Sequence, residues 1–80
     1  MILLPEHVRS ARGLLKITQA QLAELAGVNL TTIHLFEKGE RTPNEDTLLR
    51  IETALSQQGI VFFNGGNPGV RLMRNPPTEP

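Results

Sequence analysis

The chemically able side chains of this 80-residue chain are few: two histidines, eight Asp plus Glu, eight Lys plus Arg, and no cysteine. Without a thiol there is no sulfur nucleophile, no disulfide and no thiolate metal site. His7 and His34 do not form a pair at metal-binding spacing. Gly65 and Gly66 lead into no helix, so they do not form a phosphate-cradling loop. The carboxylates are scattered and have surface or helix-capping roles. Enzyme chemistry therefore finds no constellation to carry it, and no cofactor or metal is expected. What remains is recognition by hydrogen bonds, charge and shape.

The charge balance narrows the kind of recognition. Net charge is zero, which counts against tight non-specific binding of nucleic acid, because that affinity rests on neutralising phosphates. A local basic surface is still compatible with a neutral total. There is no Trp or Tyr, only Phe36, Phe62 and Phe63, so a stacking platform for single strands is not expected. No apolar run reaches the roughly 18 residues that would span a membrane. Met1 to Glu6 lacks the basic and apolar regions of a signal peptide, so a cytoplasmic location is expected. A chain this short buries only roughly 60% of its unfolded surface. A second subunit would help it, which favours a homodimer.

The elements that position the polar groups follow from apolar spacing and caps. Glu6 to Leu15 reads as a first helix opened by Pro5, with Val8, Ala11, Leu14 and Leu15 on one face. Thr18 and Gln21 form a capping box for a second helix, whose apolar face is Leu22, Ala23, Leu25 and Ala26, and Gly27 stops it. Asn29 caps a third helix, with Ile33 and Phe36 facing inward and Gly39 at its end. Asn44 caps a fourth, with Glu45 and Asp46 in the first turn and Leu48, Ile51 and Leu55 buried; Gly59 closes it. Ile60 to Phe63 and Val70 to Met73 then read as a β-hairpin around a six-residue loop, Asn64 to Gly69. The prolines of 75–80 mark a disordered tail.

The informative stretch is Thr18 to Gly39. Two short helices meet at Gly27, Ala23 is small where they cross, and Val28 and Ile33 fill the space between them. The outer face of the third helix is left free, and a major groove is wide enough for one helix.

Arg12, Thr18-Gln19, Leu22-Ala23, Ala26-Gly27-Val28, Thr32-Ile33, Glu37-Lys38-Gly39 and Arg41-Thr42-Pro43, taken as an ordered set, resemble the XRE family of Cro and lambda-type repressors. The resemblance covers Val8 to Gln58, and the tail from Phe62 to Arg74 is similar to small bacterial members. It implies a mainly α, four-helix lambda-repressor-like domain over residues 1–59, with the C-terminal β-hairpin, 60–74, as a dimerisation or packing element. It implies a regulator of transcription that binds double-stranded DNA as a homodimer on an inverted repeat. By position, Gln19 would bond a backbone phosphate and brace the third helix. Leu30, Thr31, His34 and Leu35 would read base edges. Asn29 and Thr32 would lie at the same interface, and Lys38, Arg41 and Asn44 would meet the sugar-phosphate backbone. Arg12 and Glu37 would form a partly buried structural ion pair. Ile60, Phe62, Phe63, Val70 and Leu72 would supply the dimer contact.

Leu30 and Leu35 depart from the pattern, since arginine or glutamine there would hydrogen-bond to bases and leucine cannot. Three readings are open: contact with thymine methyl groups, a patch for a protein partner, or packing against a neighbouring loop. A protein-interaction module of the anti-activator or antitoxin kind is thus the alternative function. His7 is expected to be exposed, and His34 either bonds DNA or is simply solvated. Arg9, Arg12 and Lys16 either line a phosphate-facing edge or form a solvated face. Arg71 and Arg74 are read as surface charges that blunt an edge strand rather than clamps on DNA.

Overall fold

Three of the four helices start at a side-chain cap that satisfies a free N–H group, and the first starts at a proline. A computed structural model describes residues 2–64 and 66–73. Arg74, the expected disordered tail at 75–80, and Gly65 of the hairpin turn lie outside the described residues. Pro5 opens α1 (Pro5–Leu15), one residue before the expected start, since its fixed φ suits the first turn. Thr18 caps α2 (Gln19–Ala26) in a reciprocal box. Its hydroxyl accepts from the Gln21 N–H at 3.0 Å, and Gln21 Oε1 accepts from the Thr18 N–H at 2.8 Å. Asn29 caps α3 (Leu30–Glu37) by accepting from the Thr31 N–H at 2.7 Å, and Asn44 caps α4 (Glu45–Gln57) by accepting from Thr47 at 2.8 Å.

The first three helices stop in the same way. A left-handed residue follows each: Lys16 at φ 59°, Gly27 at 68° and Gly39 at 76°. Two N–H groups then turn back onto the helix, Ile17 to Arg12 and Lys16 to Gly13, Val28 to Ala23 and Gly27 to Glu24, Glu40 to Leu35 and Gly39 to Phe36. This pattern satisfies carbonyls that would otherwise be orphaned. Lys16 alone among the three carries a Cβ into the left-handed region, a conformation that glycine adopts more easily.

One core joins all four helices. Val8 and Ala11 of α1, Leu22, Ala23 and Ala26 of α2, Ile33 and Phe36 of α3, and Ile51, Ala54 and Leu55 of α4 are buried together with Leu3 and Ile60. Leu14 and Leu25 were expected on the inner faces but stand exposed. Leu25 lies roughly 100° around the helix from the centre of the Leu22, Ala23 and Ala26 stripe, so that stripe turns it outward.

The hairpin packs on this core. β1 (Ile60–Phe63) pairs antiparallel with β2 (Gly69–Leu72), and Phe63 faces Gly69. The second strand thus begins and ends one residue earlier than expected. Alternation along the strands puts Ile60, Phe62, Val70 and Leu72 on the inner face against the helices. Val61, Phe63 and Arg71 face outward. Among the described residues no helix is long and apolar enough to cross a membrane.

His7 is not exposed as expected: it is 1% exposed and ties the hairpin to the start of α1. The Leu4 N–H donates to its Nδ1 at 3.0 Å, and its Nε2 lies 3.0 Å from the Phe63 carbonyl. A backbone N–H can only donate and a carbonyl can only accept. His7 is therefore the Nε2–H tautomer, donating to Phe63. Its ring also meets Phe62 edge-on at 5.6 Å. A further pin, Asn64 Nδ2 donating to the Ile2 carbonyl at 3.0 Å, holds the same end of the hairpin.

Candidate nucleic-acid interface

Helix α3 is anchored by Ile33, Phe36 and Glu37, its three buried residues. The opposite face presents Leu30, Thr31 and His34 to solvent, with Thr32 and Leu35 half-buried at its margins. Leu30 is 47% exposed, whereas Leu35 is partly covered. The two leucines are therefore not equivalent, and only Leu30 is a large apolar side chain offered to a partner.

Glu37 is the anchor that decides how rigidly α3 is held. The residue is 4% exposed. It accepts from Arg12 Nε at 2.6 Å and Arg12 Nη2 at 2.8 Å, a bidentate pair, the geometry in which arginine binds carboxylates most strongly. It also accepts from Gln19 Nε2 at 3.1 Å. Arg12 Nη1 donates to the Ile17 carbonyl at 3.1 Å. Burial pushes the Glu37 carboxyl up, but hydrogen bonds from Arg12 and Gln19 and the charges of Arg12 and Arg9 outweigh it. The net result is a pKa below the ordinary value. The same hydrogen bond pushes the Arg12 guanidinium up, against the opposing effect of burial.

Arg9 is turned the same way, with Nη1 donating to the Glu37 main-chain carbonyl. A cation at the last turn of α3 also suits the helix dipole. Arg9 and Arg12 thus bolt α1 to α3, Arg12 half-buried and Arg9 still exposed to solvent. Lys16 is exposed at the end of α1. Arg71 lies on the outer face of the hairpin, its guanidinium 5.2 Å from the centre of the Phe63 ring.

Gln19 sits at the junction of the site. While Nε2 donates to Glu37, Oε1 lies 3.2 Å from His34 Nδ1. One amide thus links the start of α2 to two residues of α3. Asn29 and Asn44 are occupied as caps through Oδ1, which leaves their amide N–H groups for other partners. Lys38 is exposed and paired with Glu40 at 3.1 Å, and Arg41 is exposed on the following loop. The bridge from Gln19 to His34 and the burial of His7 were not foreseen. Both join residues distant in sequence, and no local spacing announces them.

Of the residues assigned to a dimer contact, Ile60 is 3% exposed and belongs to the chain's own core. Phe62, Val70 and Leu72 pack against that core as well. Phe63 is the one member of that set facing outward, beside Val61.

Comparison with known proteins matches residues 8–56 to the helix-turn-helix family, a span running from α1 to near the end of α4. Repressor protein C2 of Salmonella phage P22 is 40% identical over 53 residues, 66% of this chain and 24% of the repressor. Control protein C.SmaI of Serratia marcescens is 39% identical over 54 residues, 68% of this chain and 64% of that protein. Multiprotein-bridging factor 1b of Arabidopsis thaliana is 38% identical over 52 residues, 65% of this chain and 37% of that protein. The chain thus spans less than two thirds of the length of each of these relatives. The match across all four helices, together with the clamped third helix, shows that the chain belongs to the helix-turn-helix family, in the XRE group of Cro and lambda-type repressors.

Proposed function

We propose that this chain regulates transcription by binding double-stranded DNA at specific sequences, as a homodimer on an inverted repeat. It acts as a binding protein, with no catalytic step. The observation that carries the reading is the fixed α3. Its inner face is locked to α1 and α2 by Ile33, Phe36 and Glu37, and its outer face, Leu30, Thr31 and His34, is left free. A rigid helix with one open face can enter a major groove in a defined register. The names of two relatives, a repressor and a control protein, agree with a regulatory role. Thr31 and His34 supply hydrogen bonds to bases, and Leu30 supplies apolar contact with a thymine methyl group. Gln19, Lys38, Arg41 and the amide groups of Asn29 and Asn44 set the register on the backbone, with Thr32 and Leu35 at the margin.

The dimer contact is assigned to the outward side and free edges of the hairpin, where Val61 and Phe63 are exposed. Inverted-repeat half-sites would then lie about one helical turn apart. The test is a mobility-shift series on genomic fragments. Arg41→Ala should weaken binding to every sequence, while Thr31→Ala should change which sequence is preferred. If no fragment gives a specific complex, or if neither substitution alters binding, the reading fails.

A second reading is favoured by one observation, the exposure of Leu30 on a chain of zero net charge. On it, the α3 face docks a protein. Leu30→Arg would then abolish capture of that protein and leave DNA binding intact. Weakened or altered DNA binding by the same variant, with no protein partner lost, speaks against it.

A further inference from the structure

Glu37, Gln19 and His34 form a chain of hydrogen bonds in which each member fixes the polarity of the next. The Glu37 carboxylate is ionised and only accepts, and it lies 3.1 Å from the Gln19 amide. The amide must therefore present N–H to Glu37. Its carbonyl oxygen then has one direction left, towards His34 Nδ1 at 3.2 Å. That oxygen only accepts, so His34 Nδ1 must carry a proton. In the neutral ring, Nε2 is then a bare acceptor. His34 is exposed, and among the described residues nothing hydrogen-bonds to its Nε2. Because the deduction starts from a carboxylate that cannot donate, it does not depend on how the amide oxygen and nitrogen are drawn.

We propose that Gln19, oriented by Glu37, holds His34 as the Nδ1–H tautomer, so that α3 offers an imidazole acceptor that selects a base carrying an exocyclic amino group. In the major groove those donors are the adenine N6 and cytosine N4 amino groups; guanine O6 and N7 and thymine O4 are acceptors. His34 is thus a specificity-determining residue that disfavours guanine and thymine where it touches. Gln19 is a positioning residue acting through it. The inference rests on the DNA reading proposed above.

His7 supplies an internal reference. Its partners Leu4 and Phe63 hold it as the opposite, Nε2–H tautomer. Long-range nitrogen–proton correlation spectra of the intact free chain at about pH 8, above the ordinary histidine range, should show one ring of each kind. Gln19→Met should release His34 towards the other tautomer and leave His7 unchanged. The wild-type spectrum decides the matter even if that variant is unstable, and two Nε2–H rings would overturn the proposal.

The DNA half is read on a duplex enriched by the wild-type chain from a random-sequence pool. Each enriched adenine is replaced by purine and each enriched cytosine by 2-pyrimidinone, which lack the amino group. At one or more positions the wild type should bind about fivefold more weakly, the scale of one hydrogen bond. His34→Ala should not register that loss. If every such loss persists in His34→Ala, the selection does not run through His34 and the proposal falls. A pool that yields no enriched sequence overturns the DNA reading itself. The two failures are distinguishable because the tautomers are read without DNA.

Discussion

The Arg12–Glu37 pair allows a quantitative test of how α3 is fixed. Consider Glu37→Leu, Arg12→Leu and the double variant. Glu37→Leu leaves a guanidinium whose side chain is 22% exposed and still bonded to the Ile17 carbonyl. Breaking a buried pair costs roughly 3–5 kcal/mol, and partial access of Arg12 to water puts this variant near ~3. Arg12→Leu strands a carboxylate whose side chain is 3% exposed, so its cost lies nearer ~5 kcal/mol. Set against a total stability on the order of 5–15 kcal/mol, either change is large. For a domain of this size a loss of ~3 kcal/mol lowers Tm by roughly 12–24 °C. The double variant leaves no stranded charge, and two leucines can pack together, so it should be no worse than the milder single. Urea unfolding of the four proteins followed by circular dichroism gives the cycle. Costs that add within about 0.5 kcal/mol would refute the coupling. The acid limb gives an independent check. The folded Glu37 carboxyl titrates below its ordinary 4.5, so its contribution is complete above that value. It is lost as pH falls through the lower, folded value. Wild type should therefore lose stability relative to the double variant in that acid window.

Three further outcomes are expected. Lys16→Gly relieves a left-handed residue at φ 59° and should raise stability by about 0.5–1 kcal/mol in urea unfolding. A drop would mean that the lysine side chain stabilises the turn. Gly59→Ala should destabilise by about 2 kcal/mol or more, because φ is +99° and an added Cβ would meet the Met73 carbonyl oxygen at 2.7 Å; unchanged thermal melting would contradict that. Phe63→Lys, on the outward hairpin face, should shift sedimentation from dimer to monomer with an unchanged helical spectrum. A fully dimeric variant would move the interface elsewhere. Truncation after Gly59 is a poorer test of the dimer, since it also strips Ile60 from the core and the Phe63 carbonyl from His7.

What was legible in the sequence was local. Thr18 with Gln21, Asn29 and Asn44 announce helix starts because a cap needs only residues within one turn. Gly27 and Gly39 announce stops because few other residues adopt a positive φ readily. Contacts between distant residues were not legible without the resemblance. His7 looks exposed in the sequence because one of the two hydrogen bonds that hold its ring goes to Phe63, 56 positions away. Arg9 stands exposed, but nothing near it in sequence shows that its guanidinium also reaches the end of α3. Lys16 was invisible as a turn residue, since a lysine in the left-handed region carries no sequence signal. The inner and outer faces of the hairpin were merged because Phe62 and Phe63 are adjacent and equally apolar. Only the pairing register separates them. Leu30 and Leu35 looked alike for a similar reason, five positions apart on a helix whose margins the neighbouring elements define.

The proposed function requires that the open face of α3 read DNA. Genome-wide mapping of the chain's occupancy in its host tests it most directly. The expected result is discrete sites sharing an inverted repeat, with half-sites about one helical turn apart, that are lost or moved by Thr31→Ala. Occupancy indistinguishable from background, or sites unaltered by changes to Thr31 and His34, would contradict it.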